Sequence, residues 1–185
     1  MWLQCKKDNP NLSVHIDCVK DFLWQLQAPV KSFTFNSSKA MVQTDVVLTA
    51  IENYGNIFEA FIHHGIAYFY RSKSFHDRAD SSLVLLCRQC PRLKTLVIRE
   101  RISTATILLI ATTGKNLQKL IIRRNAVIIR TDWPKSHEWS DEFYQWLKIN
   151  SRKYEFVERE VSQILGYRWK MLSDKEFKKL YIRPY

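Results

Sequence analysis

Apolar and polar positions along residues 14–125 repeat one arrangement: a helical apolar stretch, a breaker, then a short strand whose alternate residues are apolar. The clearest copies are 86–99 and 110–123. Both contain Leu-x-x-Leu-x-Ile, as Leu93-x-x-Leu96-x-Ile98 and Leu117-x-x-Leu120-x-Ile122. The second runs on to Asn125, which completes a leucine-rich-repeat pattern. Fainter copies lie upstream. Ile57-x-x-Ala60-x-Ile62 follows Val46–Ile51 and the breaker Tyr54–Asn56, and Val30-x-x-Phe33-x-Phe35 follows Cys18–Leu26 and the breaker Ala28-Pro29. Val14-x-Ile16 reads as the edge of one more copy. The last apolar strand positions fall at 16, 35, 62, 98 and 122, irregular but centred on the ~20–29 residues of this repeat class. The widest gap holds 66–80, read as an insertion bearing Tyr68, Phe69, Tyr70 and Phe75.

Alternate residues of a strand share a face, so the second and third apolar positions of each motif point into one core. No single repeat can close that core without its neighbours. The pattern therefore predicts an α/β fold: a leucine-rich-repeat-like solenoid of parallel strands backed by helices over 1–131. Gly55, Pro91 and Gly114 end the helices, by a left-handed cap or by steric refusal to continue. After Asn125 the pattern changes. Ala126–Arg130 allows one last strand, Trp133-Pro134 is a break, and 132–185 reads as a helical C-terminal cap for the open end of the solenoid. Its first helix runs from Ser140, an N-cap, to Asn150. The second runs from Arg152 to Leu165 and stops at Gly166. The third begins at Ser173 with Glu176 three residues on, a capping box, and carries Phe177 and Leu180.

The composition permits this fold. The 185 residues are 46% hydrophobic and 13% aromatic, so a core can form, and four glycines with five prolines leave little for flexible linkers. No apolar run reaches the ~18–20 residues of a membrane span. The N-terminus lacks a signal-peptide pattern, and four cysteines are too few for a disulfide scaffold. A reducing compartment, cytoplasmic or nuclear, and no membrane association are expected.

Charge adds a feature that the hydrophobic pattern does not explain. The formal net charge is +11, and between Ser81 and Thr131 ten basic residues accompany one acid, Glu100. In the strand register inferred above, one column of side chains faces away from the helices. It sets an apolar row, Phe61, Val97 and Ile121, beside a basic row, His63, Arg99 and Arg123, with Lys119 adjoining. Apolar anchors beside arginines suit protein interfaces, and guanidinium forks suit carboxylates or phosphates. The column is either a site for an acidic or phosphorylated segment of a protein substrate or a solvated basic face. Nucleic acid is the alternative partner on charge alone, although no aromatic stacking platform of known type accompanies the bases.

Catalytic and metal chemistry find little support. Cys87-x-x-Cys90 has the spacing of half a zinc site or of a redox pair, but no second pair with ligand spacing occurs, and Pro91 with Leu93 completes a repeat instead. His63 and His64 are adjacent, so on a strand they point to opposite faces and do not chelate together. Neither a nucleophile elbow nor a phosphate-cradling glycine loop is found. No catalytic residue, metal or cofactor is expected, and the chain reads as a binding scaffold.

Several stretches carry a family resemblance. Cys90–Leu96 resembles the cysteine-containing leucine-rich repeats of F-box proteins. Ile98–Thr104, Arg123–Val127, Asp132–Pro134, Glu142–Lys148 and Glu160–Tyr167 resemble the C-terminal region of an F-box-only protein. The resemblance rests on these motifs in the second half and on pattern alone in the first. It implies a substrate-recognition component of a Skp1–cullin–F-box (SCF) E3 ubiquitin ligase, without a catalytic site of its own. In that family the repeats hold the substrate and the F-box binds Skp1. The chain departs from the family in one respect: nothing in residues 1–50 matches an F-box, so Skp1 and cullin are reached only through an F-box missing here.

Overall fold

The computed structural model describes residues 2–9, 11–18, 24–35, 44–64 and 74–180. It is a mixed α/β structure around a five-stranded parallel sheet. A short helix, α1 (Trp2–Asp8), precedes β1 (Val14–Cys18) and β2 (Val30–Phe35). Then α2 (Thr44–Tyr54) leads to β3 (Ala60–His63), α3 (Asp80–Gln89) to β4 (Thr95–Ile98), and α4 (Thr104–Thr113) to β6 (Lys119–Ile122). Two short strands, β5 (Ile102–Ser103) and β7 (Val127–Ile128), form a second parallel pair beside α4. The main sheet runs β1-β2-β3-β4-β6, so each strand lies beside the previous one of that sheet.

Register between β4 and β6 pairs Thr95 with Lys119, Leu96 with Leu120, Val97 with Ile121 and Ile98 with Ile122. This is the offset that aligns the two best sequence repeats. Leu96, Ile98, Leu120 and Ile122 turn to the helices, where Val47, Ala50, Leu83 and Leu86 of α2 and α3 meet them in one core. Burying each such side chain contributes roughly 1.5–3 kcal/mol. Helix α4 is buried from Thr104 to Ala111. It is enclosed because α3 lies on one side and α5 (Asp141–Asn150) and α6 (Tyr154–Leu165) on the other.

Chain ends of the helices follow local chemistry. Ser103, Ser140 and Ser173 accept hydrogen bonds from the backbone of Thr106, Phe143 and Glu176, three side-chain N-caps. Gly166 closes α6 at φ +75, a left-handed cap. Gly114, by contrast, sits at φ −79. It is a glycine because a Cβ there would stand 3.1 Å from the Ile110 carbonyl oxygen and 3.2 Å from Leu117 Cβ.

A buried polar knot ties the helix starts together. Arg78 Nε donates to Asp80 at 2.8 Å and its Nη2 to Asp132 at 2.6 Å, while Asp80 also accepts from the Ser103 amide at 2.9 Å and from the Thr106 hydroxyl. Burial opposes the Arg78 charge, but the bonds to the two carboxylates outweigh it and raise its pKa.

Two expectations are corrected, and two fall largely outside the described residues. The third C-terminal helix, α7 (Asp174–Lys178), does not cover the open end of the sheet. It lies across the sheet face opposite the helices, where Phe177 packs with Ala60, Ile62, Val97 and Ile121. In β3, Phe61 pairs with Phe33 and Leu96 and so points to the helix-side core. The repeat phase there is Phe58-x-x-Phe61-x-His63, one residue beyond the expected one, and a one-residue slip turns every side chain over. The insertion over 66–80 lies outside the described residues as far as 73, as does most of the helix expected over 18–26.

Candidate functional site

The sheet face away from the helices changes character across its width. Toward β1 it is polar: His15 sits between Ser13 and Ser32, with Nδ1 2.7 Å from the Ser32 hydroxyl and Nε2 3.2 Å from that of Ser13. His15 and Ser32 are paired across the strands. Burial and the nearby Lys31 charge lower the imidazole pKa. Over β3, β4 and β6 the face is apolar, formed by Ala60, Ile62, Val97 and Ile121.

At the C-terminal ends of those three strands charged groups gather. Arg99 is 1% exposed; its Nη1 donates to the His64 carbonyl at 2.9 Å and its Nε to Glu100 at 3.2 Å. Glu100 also lies 3.3 Å from His63 Nδ1. Burial pushes the Glu100 pKa up, against the pull of Arg99 and Arg123, and burial also pushes Arg99 down. Both shifts point the same way: removal from water costs this pair more than its attraction returns.

Arg123 completes the group. Its Nε and Nη2 donate to the two oxygens of Asp174 at 2.6 and 3.0 Å, a bidentate fork. The Arg123 hydrogen bonds hold the Asp174 carboxyl below its ordinary range, with Asn125 and Lys178 assisting. Phe177, one turn further along α7, is fully buried and stacks on His64 at 5.9 Å between ring centroids. The backbone leading into α7 runs beside β6: the Leu172 amide donates to Ile122 and the Arg124 amide to Leu172, each at 2.8 Å. Trp169 Nε1 donates to the Leu120 carbonyl at 2.7 Å.

Of the residues singled out in the sequence, His63, Arg99 and Arg123 do come together, but His63 and Arg99 are buried and Arg123 is paired. Val97 and Ile121 lie beneath Phe177. Lys119 is exposed at the start of β6. Phe61 belongs to the opposite face, because the β3 register aligns it with Leu96. Ala60 and Ile62 take its place. The sequence reading missed these two, and it missed Asp174 and Phe177, whose only signal was their position in a capped helix.

The rest of the basic block is partly spent on internal pairs: Arg88 with Glu138 and Lys94 with Glu59. Arg124 lies over the Tyr154 ring. Cys87 and Cys90 are buried and unbridged, and burial pushes both thiols up to about 12. Among the described residues no group of three His, Cys, Asp or Glu side chains could hold a metal ion, and no helix is long and apolar enough to cross a membrane. A concavity lies beside α3 and α4, lined by Trp133, Trp139 and Phe143.

A scan of protein-family models finds none that matches the chain, and a search of curated proteins finds no match either.

Proposed function

We propose that the chain is a protein-binding scaffold without a catalytic site of its own: a leucine-rich-repeat-like solenoid that serves as the substrate-recognition part of an SCF ubiquitin ligase receptor. One observation carries the scaffold reading. Among the described residues α2, α3 and α4 pack on one side of the sheet, and over β3, β4 and β6 the other side is an apolar strip edged by Arg99 and Arg123, on which the five-residue helix α7 sits with Leu172 and Leu180 beside it. A parallel sheet normally has both faces covered by long helices; a face left to so short an element suits recognition. The matching offset of β4–β6 pairing and the 86–99 and 110–123 repeats favours the solenoid. The ligase role draws only on the resemblance of Cys90–Leu96 and the later motifs to F-box proteins. The nucleic-acid alternative is weakened by the pairing of Arg88, Lys94, Arg99 and Arg123 with carboxylates.

Co-expression of the complete gene product with Skp1 tests the ligase role. Skp1 is expected to co-purify with a product whose reading frame supplies an F-box and not with residues 1–185 alone. A complete frame without an F-box, together with no recovery of Skp1, removes the ligase role.

A further inference from the structure

Helix α7 sits on the sheet as a bound peptide would. It has five residues, and helices so short do not persist alone in water. Two kinds of structure hold it. The first is internal: Ser173 and Glu176 form a reciprocal capping box, which any peptide of this sequence would carry with it. The second is docking: the Leu172 backbone pairs beside β6, Leu172 and Leu180 pack at the rim of the strip, and two side chains make the central contacts. Asp174 meets the Arg123 fork, and three residues on, Phe177 fills the strip of Ala60, Ile62, Val97 and Ile121 and stacks on His64.

The receiving surface is matched to that pair. Arg99 pairs with Glu100, while Arg123 turns its fork to Asp174, the carboxylate that α7 brings. Arg123 is planar and addresses both oxygens of its partner, a geometry that selects carboxylates over lone point charges. The apolar strip lies one helical turn away, the distance separating residues i and i+3 on a helix face.

We propose that the face of β3, β4 and β6 is a recognition site for a capped helical turn bearing a carboxylate and, three residues later, an aromatic ring, and that α7 is its occupant within the chain. A protein partner displaying the same pair binds by displacing α7. The inference rests on the scaffold reading and is independent of the ligase role. It gives the acidic partner a defined spacing and makes the site self-occluded.

A fluorescently labelled peptide of residues 173–180 is the probe, titrated into the full chain and its variants by anisotropy. Phe177→Ala empties the site, so this variant should bind the peptide at least about tenfold more tightly than the unaltered chain, whose own helix competes. A peptide with alanine at the phenylalanine position should not bind. Adding Arg123→Ala to Phe177→Ala should abolish the gain. Asp174→Lys, which keeps Phe177, should show a smaller gain in the same direction and decides the matter if near-ultraviolet circular dichroism finds Phe177→Ala unfolded. Equal or undetectable peptide binding by the unaltered chain and by the folded variants overturns the proposal and makes α7 a fixed part of the fold. Skp1 recovery is unaffected by that outcome, so the two readings fail separately.

Discussion

Phe61 shows how one position turns on the register of its strand. On the face away from the helices its loss would weaken binding and spare the fold. In the helix-side core, edge-on to Phe58 and tilted against Phe35, Phe61→Ala should cost about 3–5 kcal/mol in chemical denaturation. Asp80 is a second test at this scale. It accepts from Arg78, Ser103 and Thr106 with no exposure to water. Asp80→Ala leaves the buried Arg78 guanidinium to Asp132 alone and takes the acceptor from the Ser103 amide, and should cost about 3–5 kcal/mol, read in the same assay. The cysteines offer a third. With thiols pushed to about 12 by burial, Cys87 and Cys90 should resist alkylation at neutral pH while exposed Cys5 reacts. Peptide mass mapping of the native and denatured chain distinguishes them; rapid native labelling of Cys87 would contradict the burial. Arg99→Glu belongs here too: with Arg99 fully buried against Glu100, the change buries a second carboxylate and should unfold the chain rather than merely block a partner.

Elements differ in how far their sequences announce them. The strands β4 and β6 were legible because leucine and isoleucine occupy the inward positions and threonine or lysine the outward start. In β3 all four residues are buried, since helices cover one face and α7 the other. Alternation is then lost, and Ala60 with Ile62 imitates the inward pair that Phe61 and His63 form. The helices α5, α6 and α7 were legible from serine caps and Gly166. Where α7 goes was not, because Phe177 marks an apolar face without naming the surface that receives it. Docking of α7 should depend on pH in one direction. Asp174 is held below its ordinary value of 3.8 by Arg123, with Lys178 and Asn125 beside it. A depressed carboxyl stabilises above that ordinary value, and the stabilisation is lost as pH falls through the folded value. Glu100, raised by burial, acts oppositely: it favours the fold at low pH and the benefit is lost as pH rises through its folded value. Carbon-13 titration of the Asp174 carboxyl with the Phe177 ring signals should therefore show α7 releasing in acid, below the ordinary aspartate range. Ring signals unchanged through the Asp174 titration would mean that the ion pair does not hold the helix.

For the whole molecule, the residue pattern alone determined a parallel α/β core of repeated strand–helix units followed by three capped helices. It could do so because alternation, leucine spacing and cap chemistry act over a few residues, within reach of local sequence. The sequence also brought His63, Arg99 and Arg123 to one region, since all three fall at or just beyond strand ends. Only the tertiary structure decided which face Phe61 takes, that Glu100 and Asp174 answer the arginines, and that the chain's own Phe177 lies on the strip a partner was expected to use. Those outcomes depend on contacts between segments far apart in the chain — Arg123 and Asp174 are joined across 51 positions — and such pairings are set by packing and charge in three dimensions, which no local pattern records.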